Sequence, residues 1–408
     1  MIDQLQFLIS RGLGPISNFA ILTVVGLQFG WVGVADYTYA MVVCGSLYFV
    51  VGFALQTYIA VQPREAAHRK EILWVRLSTV LLSCLIAALA ATTGSATWFI
   101  VAGLWLLKAG EMLFEPVVVF AALADSNDGR GRIVLQMELI RFLLVQTLVW
   151  GAILICQAPL GVSLAVAGLG NLLIGAYYLV TFPSWTRHTG ALGEWWPILK
   201  GIVAACLPMA VSGVILATVL GMPRLLMDHQ MTQDQRALMG IAQVGSSVMA
   251  LVFNAIWVYD LGALRAACKS GDIGKVFRHN SRLSLTFGAM MTAAALMLWI
   301  ALVYIPVDSE FLRSNAGTLA LMLVALTLPH CISLHRDVLK LLDRSWLEVW
   351  ILVVSLLLGL LAWYLGQNHL ALGWVGLTLA IVAISSLSQL SASFLILFRI
   401  AKDPFSFR

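Results

Sequence analysis

Charged residues are scarce in this chain: Asp, Glu, Lys and Arg together make up 11% of it, whereas 61% of its residues are hydrophobic. Charged residues normally account for about a quarter of a globular protein. A soluble fold of 408 residues cannot bury so much apolar surface. The apolar residues form blocks of about 20, the length of a membrane-spanning helix, and their continuity excludes the alternating pattern of a β-barrel. We therefore predict an all-α polytopic membrane protein.

Metal and redox motifs are also missing from the sequence. The six cysteines are scattered and form no CxxC pair, and the seven histidines form no HExxH motif. Most of the cysteines stand in apolar surroundings, which is typical of a packing role. We predict no metal site and no cofactor.

The apolar blocks predict twelve transmembrane helices. Continuous apolar segments of this length are read as helices because the backbone must satisfy its own hydrogen bonds in lipid. The predicted spans cover residues 7–28, 37–62, 73–93, 97–122, 133–156, 160–182, 198–226, 237–259, 283–305, 317–334, 348–365 and 371–398.

The distribution of lysine and arginine predicts that both termini are cytoplasmic. Most of the 25 basic residues, Arg76, Arg336 and Lys340 among them, are assigned to the loops after even-numbered spans, such as 264–282, or to the C-terminal tail. The loops after odd-numbered spans hold only Arg236 and Arg313. Positively charged loops remain in the cytoplasm. The net charge of +5 therefore reflects membrane topology, and we expect no nucleic-acid partner.

The two halves of the chain echo each other. The segment "LGPIS" in span one corresponds to "CLPMA" in span seven, and "RLSTVLLSCLIAALAA" in span three corresponds to "RLSLTFGAMMTAAALM" in span nine. Glu138 and Glu348 stand near the starts of spans five and eleven. We predict an N-lobe at 1–183, a cytoplasmic linker at 184–197 and a C-lobe with a short tail at 198–408. Two six-helix lobes would then enclose a central cavity, as in transporters built from repeats.

Ionisable residues inside the spans are the main functional signal, because a charge at bilayer depth is costly and usually faces a partner or a cavity. Span four carries Lys108, Glu111 and Glu115 on one helical face, and span five carries Glu138 and Arg141. Self-neutralisation within a helix turn is an alternative to a role in a cavity. The pairs within reach are Lys108–Glu111, Glu138–Arg141 and Arg224–Asp228.

Span one contains the unusual stretch "ISRGLGPISNFAIL" at residues 9–22. Arg11 has no acidic residue three or four positions away, and it shares a helical face with Pro15 and Asn18. Arg11 must therefore find solvent, another helix or a ligand. Snorkelling to the cytoplasmic interface remains an alternative.

The membrane cations predict an anionic substrate. At about 1.5 Å per residue, Lys108 lies near mid-membrane, Arg11 and Arg141 in the cytoplasmic third, and Arg224 in the outer third. If these side chains face one lumen, they form a series of positive charges across the bilayer, a ladder of cations with Asn18 beside Arg11. Arginine binds phosphate in a planar fork and lysine binds it as a point charge, so the ladder suits a phosphate-bearing substrate.

The acidic residues inside the spans are candidates for ion coupling. A carboxylate in a low-dielectric site can carry a proton, and coupling to a proton or sodium gradient stays open. The candidates are Glu111, Glu115, Glu138 and Asp260.

Three stretches resemble the multidrug/oligosaccharidyl-lipid/polysaccharide (MOP) exporter superfamily, and within it the Wzx-type polysaccharide flippases. They are "RGLGPISNFAILTVVGLQFGWVGVADYTYA", "RIVLQMELIRFLL" and "PRLLMDHQMTQDQRALMGIAQVGSSVMALVFNAI". In the third, an arginine at the end of span seven leads through a short polar loop into a span rich in small residues. Some members of this superfamily have fourteen spans, whereas twelve are predicted for this chain. A lipid-tail groove built from the extra pair is therefore in doubt here.

The resemblance implies a MATE-like fold and a flippase of the bacterial inner membrane. Its substrate would be an undecaprenyl-pyrophosphate-linked oligosaccharide for lipopolysaccharide or exopolysaccharide synthesis, moved by alternating access while its lipid tail stays in the bilayer. The first-helix arginine that binds substrate in such proteins corresponds to Arg11, and the role extends to Lys108, Arg141 and Arg224. Membrane lipids and polysaccharide polymerase or assembly proteins are the implied partners, and we expect a monomer.

Two other functions are alternatives to a flippase. A MATE-like multidrug antiporter exports cations and needs an acidic pocket; the basic charge in span one argues against it, whereas Glu111 and Glu115 favour it. A polymerase or acyltransferase needs a catalytic outer loop. The predicted outer loops 227–236 and 306–316 are short and hold no acid–base or nucleophile arrangement. We therefore do not expect an enzyme.

Overall fold

The computed structural model describes residues 2–52, 55, 58, 69–123, 130–181, 195–304 and 310–402. Within these ranges the chain is helical almost throughout and contains no strand, which confirms the all-α prediction. The helices are α1 (Ile2–Gly52), α2 (Arg69–Ala91), α3 (Ala96–Leu123), α4 (Arg130–Trp150), α5 (Leu160–Thr181), α6 (Trp195–Met227), α7 (Gln233–Lys269), α8 (Ile273–Tyr304), α9 (Glu310–Ser314), α10 (Ala316–Leu341), α11 (Ser345–Asn368) and α12 (Trp374–Lys402).

Among the described residues, ten helical stretches are long and apolar enough to cross a membrane. The stretch Gly12–Gly52 contains parts of the first two predicted spans. The predicted span 237–259 lies within α7, which has 37 residues but is not one of the ten. The chain is thus a multi-pass membrane protein, whereas the count of twelve spans and the cytoplasmic termini stay predictions.

A single glycine breaks α1. Gly30 has φ 62° and ψ −158°, a conformation that is essentially restricted to glycine. The helix resumes directly after it. The loop predicted at 29–36 is therefore reduced to a break at one residue.

The basic stretch 264–282, predicted as a loop, is mostly helical. The helix α7 continues to Lys269, a turn with Gly271 at φ 79° follows, and α8 begins at Ile273. Hydropathy marks the part of a helix that lipid covers, whereas lysine and arginine are good helix formers that continue it beyond that part. The predicted loop was therefore too long.

Glycines bring α3 and α5 into close contact. Gly103 and Gly110 stand seven residues apart on α3, and Gly161 and Gly168 do so on α5. A Cβ atom added at Gly110 would lie 2.7 Å from the Asn171 side chain, and one at Gly168 would lie 2.7 Å from the backbone of α3. Small residues allow membrane helices to pack this closely. This contact fixes the helix that carries Lys108 and Glu111.

The chain divides into two compact units, Met1–Val214 and Ile215–Arg408. In the first unit, Phe114, Met137 and Cys206 join α3, α4 and the start of α6 in one apolar core. In the second unit, methionines including Met227, Met239 and Met322 fill the core.

The predicted linker 184–197 lies outside the described residues as far as residue 194. The division into an N-lobe and a C-lobe at that linker therefore stays a prediction.

Candidate functional site

Four charged side chains of α3 and α4 form what we call the α3–α4 charge cluster: Lys108, Glu111, Glu138 and Arg141. Lys108 Nζ donates to Glu111 Oε2 at 2.7 Å. Arg141 Nη2 lies 2.8 Å from Glu138 Oε2, and its Nη1 lies 3.9 Å from Glu111 Oε1. The predicted pairs Lys108–Glu111 and Glu138–Arg141 are thus confirmed, and Arg141 joins them into one series of alternating charges.

Aromatic and backbone groups hold Arg141 in place. Its guanidinium carbon lies 5.2 Å from the centre of the buried Phe114 ring, within range of a cation–π interaction. A Cβ atom added at Gly14 of α1 would lie 3.8 Å from Arg141 Nη2. The backbone of α1 therefore passes close to the guanidinium at Gly14.

A hydrogen bond between α1 and α4 fixes this approach. Gln146 Nε2 donates to Ser17 Oγ at 2.6 Å, and Trp150 Nε1 donates to Gln146 Oε1 at 3.1 Å. The first and fifth predicted spans therefore meet beside the cluster.

Arg11 lies three residues before Gly14 in α1, one helical turn away on the same face. The side chains of Arg11 and Pro15 lie outside the described residues, and Asn18 is half-buried. The backbone thus brings the position of Arg11 close to the α3–α4 charge cluster. Phosphate binding by Arg11 and Asn18 stays a prediction.

A third ion pair lies nearby, and the sequence did not predict it. Arg76 Nη2 lies 3.1 Å from Glu115 Oε2, Arg76 Nη1 donates to the Gly52 carbonyl at 3.4 Å, and the Tyr48 hydroxyl donates to Glu115. We took Arg76 for a cytoplasmic loop charge, yet its side chain is only 1% exposed. Its position inside the predicted span 73–93 was the signal for a buried role.

The described charges of this region balance. The three cations Lys108, Arg141 and Arg76 face three carboxylates, and all six side chains are buried or half-buried, at most 22% exposed. A balanced set binds neither a cation nor an anion strongly by net charge. One further positive charge, or the protonation of one carboxylate, would make it attractive to an anion.

Arg224 is held by its own polypeptide. Its Nε lies 3.1 Å from Asp228 Oδ1, and its Nη1 donates to the carbonyl of Arg236. The Arg236 Nε in turn donates to the Asp228 carbonyl at 2.9 Å. The predicted Arg224–Asp228 pair is confirmed, and it ties the end of α6 to the first turn of α7. A role of Arg224 in binding substrate stays a prediction.

The second unit has a buried cluster of its own. Arg336 Nε lies 2.8 Å from Glu348 Oε1, Lys340 Nζ lies 3.2 Å from the same oxygen, and Arg336 Nη1 donates to Gln389 Oε1 at 2.6 Å. We counted Arg336 and Lys340 among loop residues, which was wrong: α10 extends to Leu341. The side chain of Asp260 lies outside the described residues.

No protein-family model matches this sequence, and no curated protein matches it. Solved structures do match, over almost the whole chain. The eukaryotic MATE transporter AtDTX14 superposes with a TM-score of 0.69 at 14% identity, covering 99% of this chain and 97% of that one. The fold is therefore MATE-like. A MATE structure in the straight conformation gives a TM-score of 0.71 at 13% identity, covering 98% and 95%.

An inward-facing MATE family transporter of the MOP superfamily is also similar. Its TM-score is 0.66 at 14% identity, and the match covers 100% of this chain and 99% of that one. The superpositions establish the MATE-like fold. At identities this low they do not establish the substrate or the activity, which must be argued from the chemistry of the site. The prediction of a MATE-like fold is confirmed.

Proposed function

We propose that this protein is a MOP-type transporter, and not an enzyme, that moves an undecaprenyl-pyrophosphate-linked oligosaccharide across the bacterial inner membrane. One observation supports this substrate most. The α3–α4 charge cluster already contains two cations, and the backbone of α1 passes it at Gly14, one turn from Arg11. Arg11 adds a positive charge to an otherwise balanced set, which suits a pyrophosphate.

The carboxylates of the cluster offer a route to ion coupling. Glu111 contacts both Lys108 and Arg141. Protonation of Glu111 would release Lys108 to phosphate oxygens and leave Arg141 paired with Glu138 alone. Loss of that proton would restore the balanced cluster. Proton uptake and release would thereby alternate the cluster between an anion-binding and a balanced state. In the sodium version of this scheme, the ion would occupy the same carboxylate.

A MATE-like multidrug antiporter is the second candidate, and the fold comparisons favour it. Such a protein binds cationic substrates and needs carboxylates that are available to them. In the described part of the first unit, Glu111, Glu115 and Glu138 each pair with a lysine or arginine. A cationic drug would have to displace these partners, whereas an anion recruits them. The charge chemistry therefore favours the flippase.

The proposal predicts that Arg11 is essential for glycan export. We expect Arg11→Ala to abolish surface glycan and to accumulate the lipid-linked precursor in cells that depend on this protein. Arg11→Lys should retain partial activity, because a point charge still attracts pyrophosphate without the planar fork. Surface glycan and precursor would be measured at equal protein levels.

The matched control is Arg132→Ala, which removes an exposed arginine at the start of α4 and should leave export unchanged. Normal export by Arg11→Ala would remove Arg11 from the mechanism. Unchanged glycan in a full deletion, together with increased sensitivity to cationic drugs, would favour the antiporter.

A further inference from the structure

An apolar groove runs along the surface of the first unit between α4 and α5. Its volume is about 410 Å³. Both helices lie among the candidate membrane spans, so the groove opens within the apolar part of the membrane. Leu169 is 54% exposed and Leu173 is 72% exposed. The groove is lined by the aliphatic side chains of Leu144, Leu148, Val166, Leu169, Leu173 and Ile174.

Gly170 lies on the wall of the groove beside Leu148. A Cβ atom added at Gly170 would lie 2.3 Å from a terminal methyl carbon of Leu148. The Leu148 side chain would then have to shift, so its present position on the wall depends on the absence of a side chain at Gly170.

The groove lies on the same face of α4 as Arg141 of the α3–α4 charge cluster. Arg141, Leu144 and Leu148 stand at i, i+3 and i+7 of α4, on one helical face. At 1.5 Å per residue, Leu144 lies about 4.5 Å and Leu148 about 10 Å along the helix from Arg141. A cation at one end and an aliphatic trough beyond it match an amphipathic molecule with an anionic head and a hydrocarbon tail.

We propose that this groove holds the first part of the polyprenyl tail of the transported lipid while its pyrophosphate contacts the charge cluster. The inference rests on the proposed function, because only a lipid-linked substrate supplies such a tail. Lipid tails are as apolar as leucine, so the hydrophobic effect gives no preference for this site over the bilayer. Selectivity must come from van der Waals packing in the groove and from the charged head next to it.

The test uses the purified full-length protein in phosphatidylcholine nanodiscs with a photoreactive, radiolabelled polyprenyl diphosphate. Total saturable binding and the mapped crosslinks are two separate readouts. We expect saturable binding and crosslinks to the α4 and α5 segments that contain Leu144–Leu148 and Val166–Leu173. Unlabelled polyprenyl diphosphate should compete, whereas phosphatidylglycerol, an anionic lipid with acyl chains, should not.

Groove-filling variants make the test specific. Leu169→Trp and Leu173→Trp should each lower these crosslinks by about fivefold, which corresponds to about 1 kcal/mol at 1.4 kcal/mol per tenfold. The matched control is Leu143→Trp, at a residue of α4 that is 54% exposed and does not line the groove. It should crosslink as the wild type does.

The outcomes separate the two proposals. Saturable binding with crosslinks elsewhere in the chain would overturn the groove and leave the flippase intact. An absence of saturable binding would overturn both. Equal labelling by a photoreactive phosphatidylglycerol, without competition by polyprenyl diphosphate, would identify the groove as a site for bulk membrane lipid and reject our assignment.

Discussion

Arg336 and Glu348 are each 1% exposed at the side chain, and they meet at 2.8 Å inside the second unit. Removing both charges from water is costly, and their attraction compensates only when both partners are present. The same reasoning applies to Arg76 and Glu115 in the first unit. In both pairs, the cost of burying each charge is therefore offset by its partner of opposite charge.

We predict that Glu348→Leu lowers the free energy of unfolding by about 3–5 kcal/mol, because Arg336 loses its buried partner. The double variant Arg336→Met/Glu348→Leu should recover most of this loss, since an apolar pair replaces the ion pair. Denaturant-induced unfolding in detergent would measure both. As a control, Asp337→Ala removes a half-buried carboxylate whose ion-pair partner among the described residues is Lys340, and it should cost about 1 kcal/mol or less. Equal losses in the single and double variants would contradict this interpretation.

Pairs within one helix could be predicted from the sequence, whereas pairs between helices could not. Lys108–Glu111 and Glu138–Arg141 follow from the fixed geometry of residues three apart. Arg76–Glu115 and Arg336–Glu348 depend on how two helices pack, which hydropathy does not encode. The link from Arg141 to Glu111 has the same origin. The sequence thus predicts Lys108 and Arg141 with their partners on the same helix, whereas Arg76 and Arg336 were assigned to loops.

Helices were the most predictable elements, because lipid leaves the backbone few alternatives. Their ends were less predictable: the break at Gly30 and the helical residues on both sides of Gly271 differ from the predicted loops. The contact between α3 and α5 was missed altogether. Its signal was present in the sequence as glycines seven residues apart, but only the structure shows that the two series face each other.

The close contact of α3 and α5 predicts that adding one methyl group to a glycine between them destabilises the protein. Gly168→Ala should lower the free energy of unfolding by about 1–3 kcal/mol, because its methyl group meets the backbone of α3 and the helices must separate. Gly45→Ala is the matched control. It has open space around the added methyl and should be neutral or stabilising by up to about 1 kcal/mol. The midpoints of thermal unfolding in detergent would compare them, and similar midpoints for both would argue against the packing account.

For the whole molecule, composition was enough to predict a polytopic membrane protein, and the resemblance to the MOP superfamily implied the MATE-like fold that the comparisons confirm. Substrate chemistry is not encoded at this scale, because one fold supports several transported molecules. In our proposal it depends on a few charges, above all on Arg11, which was selected from the sequence because no acidic residue stands within a helical turn of it.

The central claim is that the cluster serves an anionic, lipid-linked substrate. The most direct measurement follows a fluorescent polyprenyl-diphosphate-linked oligosaccharide in proteoliposomes, with its exposure on the outer leaflet read by a membrane-impermeant quencher. We expect the wild-type protein to move this lipid between leaflets, Arg11→Ala to lose at least about 90% of the rate, as when about 1.4 kcal/mol of binding is removed, and ethidium not to be transported. Transport of ethidium without movement of the lipid would contradict the account.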